Sequence, residues 1–235
     1  MSNRAFWSPL LRAWRRLWSG GGNRPRSRLG VYLNMLFVDH GVLRYLYANR
    51  FRVSDQLERR NHPSPWEIGR AARRGVKTII NLRGENTFGS YQLSKQACER
   101  YGIKMVDFRT YSRRLPTKEE VLAAKKLFDE VEYPVLMHCK AGADRAGLMS
   151  ALYLILHEGK PVAVAKRQLH WRFGHVRHTK TGILDYFFEA YEKANESKPI
   201  DFLSWVEQEY DPDALQQAFN VRRWENLLDR ILNRE

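Results

Sequence analysis

Cysteine is nearly missing from this chain: 235 residues hold two, Cys98 and Cys139. Two thiols cannot build a disulfide framework, and so low a count fits a reducing, cytoplasmic setting. No Cys/His cluster has zinc-ligand spacing, so neither a structural metal nor a cofactor is expected. Long apolar runs are missing too. Residues 29–38 and 42–47 are apolar but are interrupted by Asn34, Asp39, His40 and Arg44. A membrane-spanning helix needs about 20 mostly apolar residues, and a secretory signal needs a clean apolar core before a small-residue cleavage site. This stretch is poor at both and reads as one or two helices lying on the domain or on a membrane surface. No internal repeat is present. Acids are scarce: 26 Asp and Glu against 40 Lys and Arg leave a net charge of +14, which calls for an anionic partner or surface. With 43% hydrophobic residues the chain can still bury a sizeable core.

The positive charge is uneven. Residues 1–60 contain twelve Lys or Arg and three acids, whereas the remainder contains 28 and 23. Within the first part, Phe6, Trp7, Leu10, Leu11, Trp14, Leu17 and Trp18 recur at helical spacing, with Arg12, Arg15 and Arg16 beside the stripe. A Trp-rich stripe flanked by arginines suits peripheral contact of residues 1–18 with an anionic membrane, such as the inner face of a cell membrane. The same pattern would serve a helix docked on the protein itself, or a basic arm. No nucleic-acid partner is expected. Residues 19–27, rich in Gly and Ser, read as a linker.

Beyond residue 48 strands alternate with helices. Residues 51–54 and 76–82 read as strands, the second buried and carrying Arg83 at its carboxyl end. Ser64-Pro65-Trp66-Glu67 starts a helix that runs to residue 74. A second helix covers residues 91–101, and residues 103–110 alternate as a strand. Thr117-Lys118-Glu119-Glu120 caps a helix reaching residue 131. The apolar run 134–137 is the next strand. Helices are then expected at 148–158, 162–171 and 182–193, with two or three amphipathic helices in 200–235. This order implies an α/β fold, a central, mostly parallel sheet flanked by helices with extra N- and C-terminal helices. The expected organisation is an extension over residues 1–48, a catalytic domain over 49–197 and a helical extension over 198–235.

The most informative stretch is His138-Cys139-Lys140-Ala141-Gly142-Ala143-Asp144-Arg145-Ala146-Gly147, between an apolar strand and an apolar helix. Ligands of such sheets gather at the carboxyl ends of strands. Backbone N–H groups of a tight loop converge there, and the helix dipole adds positive potential. The loop is thus an anion cradle with a thiol at its base, and the thiolate is the nucleophilic form of that thiol. Arg145 offers a planar fork for two phosphate oxygens. Gly142 permits unusual dihedrals, and Lys140 adds charge at the rim. Attack of a thiolate on a phosphate ester is the chemistry this arrangement suits.

The string resembles the His-Cys-x5-Arg signature of the protein tyrosine phosphatase superfamily, most of all its dual-specificity and phosphoinositide-phosphatase branches of bacterial type. The resemblance implies a cysteine-phosphatase-like fold and metal-independent hydrolysis of a phosphomonoester through a phosphocysteine. Cys139 would be the nucleophile and Arg145 the phosphate clamp, with His138, Lys140, Ala141, Gly142 and Ala143 around the substrate. Arg83 leads the candidates for a basic pocket, ahead of Arg113, Arg114, Arg172, His175, Arg177 and His178. The resemblance also asks for a general acid about thirty residues before the cysteine. Asp107 lies 32 residues before Cys139, although it could be a strand-end carboxylate and lacks the usual following proline. Asp144, inside the loop, is the rival, with a bracing role as its alternative. A cycle without a protein acid also stays open. Most relatives carry Ser or Thr after the arginine, and here Ala146 stands there, which implies slow breakdown of the intermediate. A protective disulfide between Cys98 and Cys139 occurs in some relatives, and an inert buried Cys98 is the plainer reading. The substrate would be a phosphorylated protein or an anionic phospholipid. A non-catalytic phosphate-binding or membrane scaffold remains open as an alternative. A rhodanese-type sulfurtransferase is disfavoured by the histidine and by the spacing to Arg145.

Overall fold

The computed structural model describes residues 28–39 and 47–221. The Trp-rich stripe of residues 1–18 and the last fourteen residues of the expected C-terminal helices lie outside them. The described chain forms two compact units. One comprises residues 28–39, 47–109 and 132–141, and the other residues 110–131 and 142–221. Among the described residues no helix is long and apolar enough to cross a membrane.

The first unit holds the sheet. Its strands are β1 (Phe51–Arg52), β2 (Leu57–Arg60), β3 (Thr78–Asn81), β4 (Lys104–Asp107) and β5 (Val135–His138), in the order β1-β2-β5-β3-β4. Only the β1–β2 pair is antiparallel. β5 lies at the centre, with Met137 beside Arg59 on one side and Ile80 on the other. A central strand has no solvent-facing edge, and all four residues of β5 and of β3 are buried. Such strands read as continuous apolar runs, which is why both are visible in the sequence.

β2 was not expected. Its sequence Leu-Glu-Arg-Arg carries no apolar pattern, yet Arg59 and Arg60 are buried. Arg60 can enter the sheet because its guanidinium meets Glu67, and its Nε donates to the Asn61 carbonyl at 3.1 Å. Glu67 in turn is the third helical residue of α2 (Pro65–Arg73), where it closes a capping box with Ser64. One carboxylate thus starts a helix and neutralises a strand.

The helices of this unit follow the sequence closely. α2 and α3 (Gly89–Tyr101) pack Ile68, Ala71, Ala97 and Cys98 onto Ile79 and Leu136 of the sheet, with Val76 and Ile103. Gly102, at φ 66°, ends α3. Residues 28–39, expected within the extension, belong to this unit. α1 (Arg28–Leu33) leads into a π-helical turn, Asn34–Val38, and Val31 and Met35 pack on Leu93 of α3. The approach is close: the Gly89 N–H donates to Asn34 Oδ1 at 2.8 Å, and a Cβ on Gly89 would lie 2.3 Å from the Val31 carbonyl oxygen.

The second unit is helical: α4 (Lys118–Glu130), α5 (Asp144–Leu156), α6 (Val162–Ala165), α7 (Ile183–Ser197) and α8 (Phe202–Gln208), followed by helical residues 212–221. Thr117 and Glu120 form the expected capping box at α4. Phe187 packs edge-on against Phe202 and Tyr210, and the Tyr210 hydroxyl donates to the Pro116 carbonyl at 2.7 Å. Two expectations change here. α5 starts at Asp144, four residues early, so that Asp144 and Arg145 occupy its first turn. The helix expected over residues 162–171 stops at Ala165 and gives way to 3-10 turns at Lys166–Gln168 and Trp171–Phe173. His170 takes an extended backbone, its ring accepts from the Arg172 N–H, and Gly174 at φ 80° reverses the chain.

Gly89→Ala should destabilise the protein by about 1–3 kcal/mol, the usual cost of overpacking, because the opposing atom is backbone. Denaturant unfolding measures the loss. Limited proteolysis should show residues 28–39 cut first; an unchanged melt and cleavage pattern would contradict the close approach.

Candidate active site

The signature loop joins β5 to α5, and the chain passes from the first unit into the second between Ala141 and Gly142. Cys139 is 3% exposed. The loop is held by its carbonyls. The Lys140 carbonyl accepts from the His62 N–H at 3.3 Å, and the Ala141 carbonyl accepts from Asn49 Nδ2 at 2.9 Å. In a trans peptide the next N–H points opposite to the carbonyl. Drawing these two carbonyls outward therefore turns the N–H groups of Ala141 and Gly142 the other way, as an anion cradle requires. Gly142 sits at φ 76°, a conformation other residues adopt only with strain.

Behind the loop lies a buried polar network in the first unit. His138 is fully buried, and its ring meets that of His62 edge-on at 4.5 Å. His62 Nδ1 lies 3.2 Å from Arg83 Nη1, and an arginine N–H can only donate. Nδ1 therefore accepts, and the ring proton sits on Nε2, facing the Ser90 carbonyl at 3.2 Å and Ser94 Oγ at 3.0 Å. Arg83 also donates through both terminal nitrogens to Asp39, at 2.7 and 2.8 Å. Asp39 is fully buried, accepts from Ser90 Oγ at 2.5 Å and lies 3.8 Å from Lys140 Nζ. Arg83 stands where the sequence put it, at the end of β3. Its fork, however, is committed to Asp39, so it braces the supports of the loop instead of opening toward a phosphate.

The two candidate acids lie in different settings. Asp107 ends β4 and accepts from Asn81 Nδ2 at 2.6 Å and from the Tyr91 hydroxyl at 2.7 Å, so both carboxylate oxygens are engaged. Burial comes first, then this bond and the Asp107 charge, in raising the Tyr91 pKa and keeping its proton in place. Asp144, in the first turn of α5, meets His175 Nδ1 at 2.7 Å, while His175 Nε2 meets Asp185 of α7 at 2.7 Å. His175 is buried and lines no basic pocket. Burial alone would disfavour its charge, but the bonds to Asp144 and Asp185, with their charges, outweigh it and raise the imidazolium to about 9. Other members of the expected pocket are engaged as well: Arg114 with Glu120, and Arg177 with Glu189. Cys98 sits in the core beneath α3, where burial first, and the Glu99 charge second, push its thiol up to about 12. Neither cysteine is in a disulfide.

Asn49, His62, Asp39 and His175 escaped the sequence reading in these supporting roles. Each acts through partners far along the chain, 92 residues away for Asn49 and 44 for Asp39. No local pattern marks such a residue.

A family model described as a DSP-PTPase phosphatase fused to NAD+ kinase matches residues 69–181. Over those residues, just under half of the chain, the sequence is similar to phosphatases of that dual-specificity type. The chain is 29% identical over 129 residues to the dual specificity protein phosphatase TpbA of Pseudomonas aeruginosa, covering 54% of this chain and 56% of that protein. TpbA of a second strain of that organism is 29% identical over 112 residues, 47% of this chain and 48% of its own length. This chain thus spans about half the length of the curated relatives it matches. The crystal structure of P. aeruginosa TpbA shows 24% identity and a TM-score of 0.49, covering 74% of this chain and 91% of that one.

The His175 clamp has a pH signature. A pKa raised from 6.5 to about 9 stabilises the fold fully below 6.5, and that contribution disappears as pH rises through about 9. Wild-type stability should therefore fall by a few kcal/mol between these limits, an order of magnitude set by the shift. His175→Gln should be less stable near pH 6 and show a flatter profile. Chemical denaturation at stepped pH tests this, and parallel profiles would refute it.

Proposed function

We propose that this protein hydrolyses phosphomonoesters through a phosphocysteine intermediate. The observation that carries the reading is the loop of Cys139 to Arg145, with its Lys140 and Ala141 carbonyls drawn outward and Arg145 in the first turn of the following helix. The Cys139 thiolate attacks phosphorus in line, the S–P bond forms and the ester P–O bond breaks. Loop N–H groups and Arg145 take up the charge on the equatorial oxygens. A carboxylic acid gives its proton to the leaving oxygen and, as carboxylate, accepts one from the water that then cleaves the S–P bond and frees phosphate. Ala146 offers no hydroxyl to assist this second step, so dephosphorylation of Cys139 is the slow half of the cycle.

Asp107 and Asp144 remain the candidates for the acid. Asp107 has the separation from Cys139 seen in relatives, and it accepts from Asn81 and Tyr91. Asp144 is held 2.7 Å from Nδ1 of the buried His175 imidazolium. The substrate class is a phosphorylated protein or an anionic phospholipid. Residues 1–18 would add peripheral membrane contact, with the protein in the cytoplasm or on the inner face of its membrane. The dual-specificity name of the curated relatives supports the protein substrate, and the net charge of +14 suits either.

Cys139→Ser should abolish turnover of a small phosphomonoester while vanadate or phosphate still binds; retained turnover would exclude the thiolate mechanism. The acid is assigned by leaving-group dependence. The variant that removes it, Asp107→Asn or Asp144→Asn, should lose roughly 10²–10⁴ in rate, most for esters of poorly acidic alcohols and least for p-nitrophenyl phosphate. Equal losses for both esters in both variants would mean that neither carboxylate is the acid.

A further inference from the structure

We propose that the loop around Trp171 is an interfacial anchor that seats on the anionic surface of a lipid bilayer. The inference concerns residues other than the Cys139 loop and residues 1–18, and it does not depend on catalysis. Trp171 is 78% exposed, more than any other large apolar residue described. Val176, five residues on, is 49% exposed, and Val164 is 45% exposed. The segment is compact: the Phe173 and His175 N–H groups both donate to the His170 carbonyl, at 3.0 and 3.3 Å. Trp171 and Val176 are therefore presented from one tight turn. Beneath it, buried Phe173 and the His175 clamp to Asp144 and Asp185 fasten the turn to α5 and α7. The anchor is mounted on the helix that carries Arg145.

Within the segment itself the charge has one sign. From residue 159 to 184 the chain has no Asp or Glu but has six Lys or Arg. Lys166 and Arg177 pair with Glu192 and Glu189 of α7, while Arg167, Arg172 and Lys180 are exposed. A tryptophan ringed by cations is the composition favoured at the headgroup level of a membrane, where the ring is half apolar and the cations meet lipid phosphates. Shape separates this occupant from a peptide. A peptide-binding site is concave and buries its anchor, whereas a side chain this exposed is itself a plug and needs a soft, deformable partner. A bilayer interface is such a partner.

The test is co-sedimentation of the full-length protein with vesicles of phosphatidylcholine containing 30–40% phosphatidylglycerol (on the order of the anionic content at which basic residues bind such surfaces). Trp171→Ala should lower partitioning about ten-fold, by loss of buried aromatic area. Arg167→Glu should lower it about five-fold or more, the factor for roughly 1 kcal/mol per basic group. Added salt should weaken wild-type binding, and neutral vesicles should bind little. Both side chains are exposed, so thermal melts should not change. Because the readout is binding, it stands apart from the phosphatase reading and can be repeated in Cys139→Ser. Wild-type partitioning in both variants would overturn the proposal. So would a loss in them of phosphopeptide binding alone, which would mark the turn as a protein-docking element.

Discussion

A peptide loop can hold an anion only if its carbonyl oxygens face elsewhere. Here that constraint is met by Asn49 and by the backbone of His62, which hold the carbonyls of Ala141 and Lys140. Neither residue is in the loop. Asn49 comes before the short β1 and His62 after β2, so the loop depends on two strands with little local sequence signal. Gly142 completes the turn at positive φ. The Cys139–Arg145 spacing is local, whereas the supports of the two carbonyls come from residues far along the chain.

The supports are themselves fixed by charges that water does not reach. Arg83 and Asp39 form a buried, bidentate pair, and the same guanidinium sets the tautomer of His62. Such a pair gives little net stability against an apolar equivalent, but losing one partner strands the other charge. The π-helical turn that delivers Asp39, and the close passage of Gly89 beneath it, therefore belong to the machinery of the loop. In the helical unit His175 plays the matching part. Two carboxylates share one imidazolium and so join the start of α5 to the start of α7.

Much of the fold was legible. The apolar runs of β3 and β5, the capping boxes at Ser64 and Thr117, and the glycine that ends α3 each act within a few residues, and each stands where local chemistry puts it. The failures share one cause. β2 is built from Leu-Glu-Arg-Arg, and its burial becomes tolerable only when Glu67 arrives from the next helix. The segment after Ala165 has helical composition, but His170 and Gly174 close a turn that His175 pins from below. In both places the buried polar residue depends on a partner supplied by another element.

For the site, the sequence by itself placed Cys139, Gly142 and Arg145 between a strand and a helix, because their spacing is a local geometric requirement. It also determined the parallel α/β class, through alternation and apolar runs. Only the tertiary structure decided what Arg83, Asp107, Asp144 and His175 are free to do. An ionisable group is defined by what lies within a few ångströms of it, and for these four the neighbours come from Asp39, Tyr91 and Asn81, and Asp185, at separations along the chain that no periodicity records. The chemistry of a charge is set by its partners, and partners are chosen by the fold.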